Sequence, residues 1–174
     1  MNNLLKIIFA VFLTLILISC SENSTNVSAE KMTVPELAIT PGYTWFSYEY
    51  DNYKPDETVI TDVKSKYSES EHTFLIFAKP SCSCPGKHKQ TPEFFKSLAE
   101  ANISESKCEI YSLSSINTNH PYKDIITINE LPTIIVLKNG VPVFSITDTI
   151  NNMNITNPSN ALTVEKSLLL GLDN

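Results

Sequence analysis

Hydrophobic and polar positions divide the chain into a short apolar leader, a polar stretch and a longer region of alternating patterns. Residues 7–18 are almost unbroken apolar sequence, with Lys6 as the only charge before them. That run is shorter than the ~20 residues a membrane-spanning helix needs. A basic start, an apolar centre and a small residue at its end make residues 1–19 a predicted secretory signal peptide. Residues 21–31 are rich in Ser, Asn and Thr and offer little to bury, so they read as a flexible tether. The sequence therefore divides into a leader at 1–19, a tether at 20–34 and one folded domain at 35–174, long enough for a core of its own. No internal repeat is visible.

Within the domain, the aromatic run at 43–50 reads as a first strand, and 52–55 as a turn. Val59, Ile60, Val63 and Tyr67 then share one face of a helix over 56–67. Residues 74–78 are continuously apolar, as in a strand covered on both faces. Phe94, Phe95, Leu98 and Ala99 form the stripe of a second helix, with Pro85 or Pro92 in its first turn and Asn102 as its stop. A third strand is predicted at 108–113, a short helical segment at 122–128 and a fully apolar fourth strand at 133–137. Lys138, Asn139 and Gly140 form a turn signal, since Asn-Gly adopts the positive φ of a tight hairpin. A fifth strand at 141–147 follows, then an Asn-rich loop at 151–160. Last comes an amphipathic helix at 162–170 closed by Gly171. The order β-α-β-α-β-α-β-β-α predicts an α/β domain: a central mixed sheet flanked by helices, mostly parallel, with an antiparallel pair at the end.

Charge narrows the function classes. Thirteen lysines face 19 carboxylates, for a net charge of −6, and the chain contains no arginine. Removal of the leader deletes one lysine and makes the balance more acidic. Such a surface offers a phosphate backbone little, and nucleic acid is excluded as a partner. A Gly-rich phosphate loop, a Gly-x-Ser-x-Gly elbow and a His-Glu-x-x-His motif are all absent.

The candidate chemistry lies in the cysteines. Cys82 and Cys84 follow the strand at 74–78, with only Ser83 between them, just before a helix. Sites in open α/β sheets form at that carboxyl edge, and helix amides with Lys79, Lys87 and Lys89 nearby favour a thiolate there. A thiolate can attack a disulfide or hold a soft metal, and inert or simply oxidised thiols are the plain alternative. Cysteines two apart can reach the ~4.4–6.8 Å Cα separation of a disulfide, with a strained torsion. Cys108 starts a parallel strand at the opposite edge and reads as a buried core thiol. The histidines at 72, 88 and 120 stand singly in polar segments and read as solvated. Of these, His88 alone has a path to the cysteines. Cys82, Cys84 and His88 form an alternative ligand set for Cu(I) or Zn(II).

The pair formed by Cys82-Ser83-Cys84 after one strand and Leu131-Pro132-Thr133 before another resembles the thioredoxin superfamily over roughly residues 45–170. The family's redox motif has two residues between its cysteines, so this Cys-x-Cys is a variant of it. The resemblance implies a thioredoxin-like fold and a cis bond before Pro132. Cys82 would attack and Cys84 would resolve, while Leu131, Pro132 and Thr133 would position substrate backbone. It implies no organic cofactor. Partners would be exported proteins bearing thiols or disulfides, with an unidentified redox partner to reset the pair. Thioredoxin-fold copper chaperones give a second, weaker likeness; a binding module without turnover is a third possibility. Leu17-Ile18-Ser19-Cys20 resembles the bacterial lipobox, which implies acylation of Cys20 and a membrane anchor facing the periplasm. An uncleaved leader with an incidental Cys20 is its alternative. Ser21 after the cysteine favours the outer membrane by likeness to enterobacterial sorting.

Overall fold

A computed structural model describes residues 28–80 and 86–174. The leader, Cys20, Cys82 and Cys84 lie outside the described residues. Five strands form one sheet: β1 (Glu30–Met32), β2 (His72–Ala78), β3 (Cys108–Ser112), β4 (Thr133–Lys138) and β5 (Val141–Ser145). Their spatial order is β1-β3-β2-β4-β5. Six α-helices accompany them among the described residues: α1 (Val34–Ile39), α2 (Phe46–Asn52), α3 (Glu57–Lys66), α4 (Gln90–Glu100), α5 (Ile146–Thr156) and α6 (Val164–Leu172). The molecule is thus a mixed α/β fold around a five-stranded mixed sheet. Only β2 and β3 pair in parallel among the named strands; β1 on β3, β4 on β2 and β5 on β4 are antiparallel. The mixed sheet flanked by helices is as predicted, but it is mostly antiparallel where the alternation of elements predicted mostly parallel pairing. Among the described residues, no helix is long and apolar enough to cross a membrane.

Two apolar clusters sit on opposite faces of the sheet because side chains alternate along a strand. Phe74, Ile76, Ala78, Ile110, Ile134 and Val136 face one cluster, to which all six helices contribute buried residues. Leu75, Phe77, Tyr111, Ile135 and Leu137 face the other. Its cover comes from Leu113, Ile126, Ile128 and Leu131, all in the connection between β3 and β4. The helical segment predicted at 122–128 is instead a set of turns. Ile125 N–H donates to the Tyr122 carbonyl at 3.1 Å and Ile126 N–H to the same oxygen at 2.9 Å. The β-branched run at 125–128 carries these turns no further as a helix.

The first strand differs from expectation for a related reason. Residues 46–52 are helix α2, and Phe46 stacks on Tyr50 at 6.2 Å, an i,i+4 pair. Tyr43 and Phe46 are buried while Tyr48 is exposed, so the aromatics follow a helical period rather than alternation. The true β1 lies in the stretch read as tether: its three residues pair with β3, and Lys31 meets Glu109 at 3.3 Å. Likewise the loop expected at 151–160 begins inside α5, where Ile146 and Ile150 are buried one turn apart and Ser145 caps by accepting from Asp148 N–H.

The turn signals fare better. Asn139 and Gly140 take φ of 54° and 78° in the β4–β5 hairpin. Asn102 (φ 56°) ends α4 as predicted. Ile103 N–H donates to the Leu98 carbonyl at 2.9 Å and Asn102 N–H to the Ala99 carbonyl at 3.0 Å, the paired bonds of a Schellman cap. Gly171 does not close the last helix. It lies within α6, where an added Cβ would come 2.7 Å from Val136 Cγ2 and 2.9 Å from Phe144 Cδ1. Its role is close approach of helix to sheet.

Candidate functional site

β2 leaves the sheet at Ala78, and the chain continues through Lys79 and Pro80 before the segment that carries Cys82 and Cys84. Beyond that segment it resumes at Gly86, whose φ of 81° requires glycine-like freedom, and a 3-10 turn at Lys87–Lys89 leads into α4. Pro92 stands in the first turn of that helix, where its missing amide costs no bond. Pro85 lies outside the described residues.

β4 begins beside the end of β2, with Thr133 in register with Phe77. The Leu131–Pro132 bond is cis, as the family resemblance implied. Leu131 and Thr133 are both buried, and Thr133 Oγ1 donates to the Glu130 carbonyl at 2.5 Å. Glu130 also ties the two halves of the site together. Its carboxylate forms an ion pair with Lys87 and accepts a hydrogen bond from Asn151 Nδ2 on α5. Gln90 Nε2, at the start of α4, donates in turn to Asn151 Oδ1 at 3.4 Å, while its own buried Oε1 accepts from none of the described residues. Lys79 and Lys87, on either side of the cysteine segment, thereby line one open groove of about 320 Å³ with Ser115, Ile116, Glu130 and Leu131.

His88 leans on the other flank. Its Nε2 is 3.7 Å from Glu49 Oε1, its ring meets Trp45 edge-on at 5.2 Å, and Lys89 reaches the same carboxylate at 3.2 Å. The other two histidines are not solvated as expected. His72 is buried at the start of β2, accepts from Ser68 N–H at 3.0 Å and is held below its ordinary pKa by burial. His120 is buried with its ring 4.7 Å from Phe77, and burial lowers its pKa too. Neither reaches the groove's lining. Among the described residues, no group of three His, Cys, Asp or Glu side chains could hold a metal. The alternative ligand set of Cys82, Cys84 and His88 has two members outside the described residues.

Cys108 is a free thiol in register with Phe74, at the far end of β2 from Ala78. Burial raises its pKa well above the ordinary thiol range. It is a half-buried, proton-bearing thiol packed against the core rather than within it, at the opposite end of the sheet from Ala78, as its place at the start of a parallel strand predicted.

Sequence reasoning missed Glu130 and Asn151. Neither belongs to a motif; Glu130 meets Lys87 across 43 residues and Asn151 meets Glu130 across 21. A comparison with family models, with curated proteins and with solved structures finds no match to this chain.

Proposed function

We propose that the chain is a lipid-anchored protein of the cell envelope, thioredoxin-like in fold, that exchanges thiols and disulfides with exported proteins through Cys82 and Cys84. One observation carries this reading: the residues bracketing the cysteine segment, Lys79 and Lys87, share a groove with Leu131, next to Pro132. The terminal β4–β5 hairpin followed by helices accords with the resemblance. The anchor rests on the leader and Cys20 in the sequence, and a membrane partner follows from it alone.

The chemistry balances as two exchanges. The Cys82 thiolate attacks one sulfur of a substrate disulfide, forming a mixed disulfide and releasing one substrate thiolate. The Cys84 thiolate then attacks Cys82 Sγ, releasing the second substrate thiol and leaving a Cys82–Cys84 disulfide. Two electrons pass to the substrate, and an envelope dithiol must return them. The reverse sequence oxidises a substrate dithiol. Leu131, Pro132 and Thr133 hold the substrate backbone, and no organic cofactor takes part.

A redox titration of residues 21–174, read by thiol alkylation and mass spectrometry, tests the proposal. The expected result is a two-electron transition joining Cys82 to Cys84. Two thiols that stay reduced at every potential, with stoichiometric Cu(I) binding lost on Cys82→Ser or Cys84→Ser, would establish the metal-carrier reading instead. Partners unaffected by Cys82→Ser would mark a binding module without turnover.

A further inference from the structure

We infer that the groove beside the cysteine segment selects an extended polypeptide in which an apolar side chain is closely followed by a carboxylate, with Ile116 and Lys79 as the specificity determinants. The inference takes its class of partner, an exported polypeptide, from the function proposed above.

Among the described residues the groove has an apolar wall and one charge without an ion-pair partner. Ile116 is 45% exposed at its rim, while Leu131 beneath is buried. The loop bearing Ile116 is braced. Ser115 N–H donates to Thr118 Oγ1 at 3.1 Å, and Thr118 N–H returns a bond to the Ser115 carbonyl at 3.1 Å. The side chain is thus presented to solvent by a tied turn. An isoleucine held out beside an open space of about 320 Å³ gains by covering itself with another apolar group.

Charge chooses the neighbour of that group. Of the three ionisable side chains that line the groove among the described residues, Lys87 and Glu130 neutralise one another. Lys79 makes no ion pair among the described residues. The described lining of the groove is therefore locally cationic on a protein of net charge −6. A carboxylate complements it and a lysine is repelled, which is how surface charge discriminates partners more than it adds affinity.

Two fluorescein-labelled peptides without cysteine, identical except for Leu-Asp or Leu-Lys at the centre, test this by fluorescence anisotropy with the mature chain in detergent. At low salt the Leu-Asp peptide is expected to bind about three- to fivefold more tightly. Lys79→Glu should invert that order. Ile116→Ser should weaken both peptides by roughly five- to tenfold and leave their ratio unchanged. Ile116 is exposed and Lys79 half-buried, and circular dichroism verifies that each variant is folded. Equal affinity for the two peptides, a preference indifferent to Lys79→Glu, or no binding up to millimolar concentration overturns the inference. Because the peptides carry no thiol, these outcomes are independent of the redox titration. A chain that fails the titration yet keeps the preference is a binding module with this specificity.

Discussion

Glu93 is the side chain whose ionisation is most displaced within the physiological range. Burial pushes its carboxyl up to about 7; Lys89 opposes the shift, and the Glu165 and Glu49 carboxylates add to it. Glu165 is itself buried and accepts from Tyr53 Oη and, at 3.4 Å, from Asp56 N–H, so it stays fixed between helices. Because the folded value lies above the ordinary 4.5, folding favours the protonated acid. The protonated form's advantage is complete below about 4.5 and is lost as pH rises through about 7. Glu93→Gln should therefore stabilise the protein at pH 8 by roughly 1–2 kcal/mol, allowing for solvent screening, and change little at pH 5. Urea midpoints at the two pH values check this; equal shifts at both would refute it. Gly171 makes a steric prediction. Alanine there would press on buried Val136 and on Phe144, and should cost about 1–3 kcal/mol despite its better helix propensity. Cys108, with its raised pKa, should alkylate with iodoacetamide at pH 8 at least tenfold more slowly in native protein than in urea.

At the scale of elements, caps and turns declare themselves locally, and strands do so only when buried on both faces. Asn102 was legible as a stop because few residues tolerate a positive φ. Asn102→Ala should cost about 1 kcal/mol and Asn102→Gly nothing, measured by thermal unfolding. The apolar runs of β2 and β4 were legible for the same local reason. By contrast β1 is three residues, two of them charged, and exists through its pairing with β3. Nothing in Glu-Lys-Met signals that. Aromatic density at 43–50 suggested a strand by propensity, and the i,i+4 contact of Phe46 with Tyr50 overrode it. Six asparagines and threonines in α5 hid a helix that is defined by Ile146, Ile150 and its Ser145 cap.

For the whole molecule, the sequence placed the strand that precedes the cysteines and the strand that follows Pro132, but not the contacts that join the segments beside them. The strand after Pro132 was readable from its apolar run, whereas the cis bond before Pro132 came from the family resemblance alone. The Lys87–Glu130–Asn151 link was not readable, since a tertiary contact leaves no periodic trace in the chain. Nor did the sequence disclose that all six helices serve one face of the sheet.

That lopsidedness has a consequence for motion. The face opposite the helices is roofed by the same connection that carries Ile116 at one end and Leu131 at the other. Short turns hold it, so its amides should trade protons for deuterons well before those of β2. A polypeptide seated between Ile116 and Leu131 would clamp both ends of that roof at once. Its arrival should be felt as slowed exchange at Ile126 and Ile128, residues outside the groove's own lining.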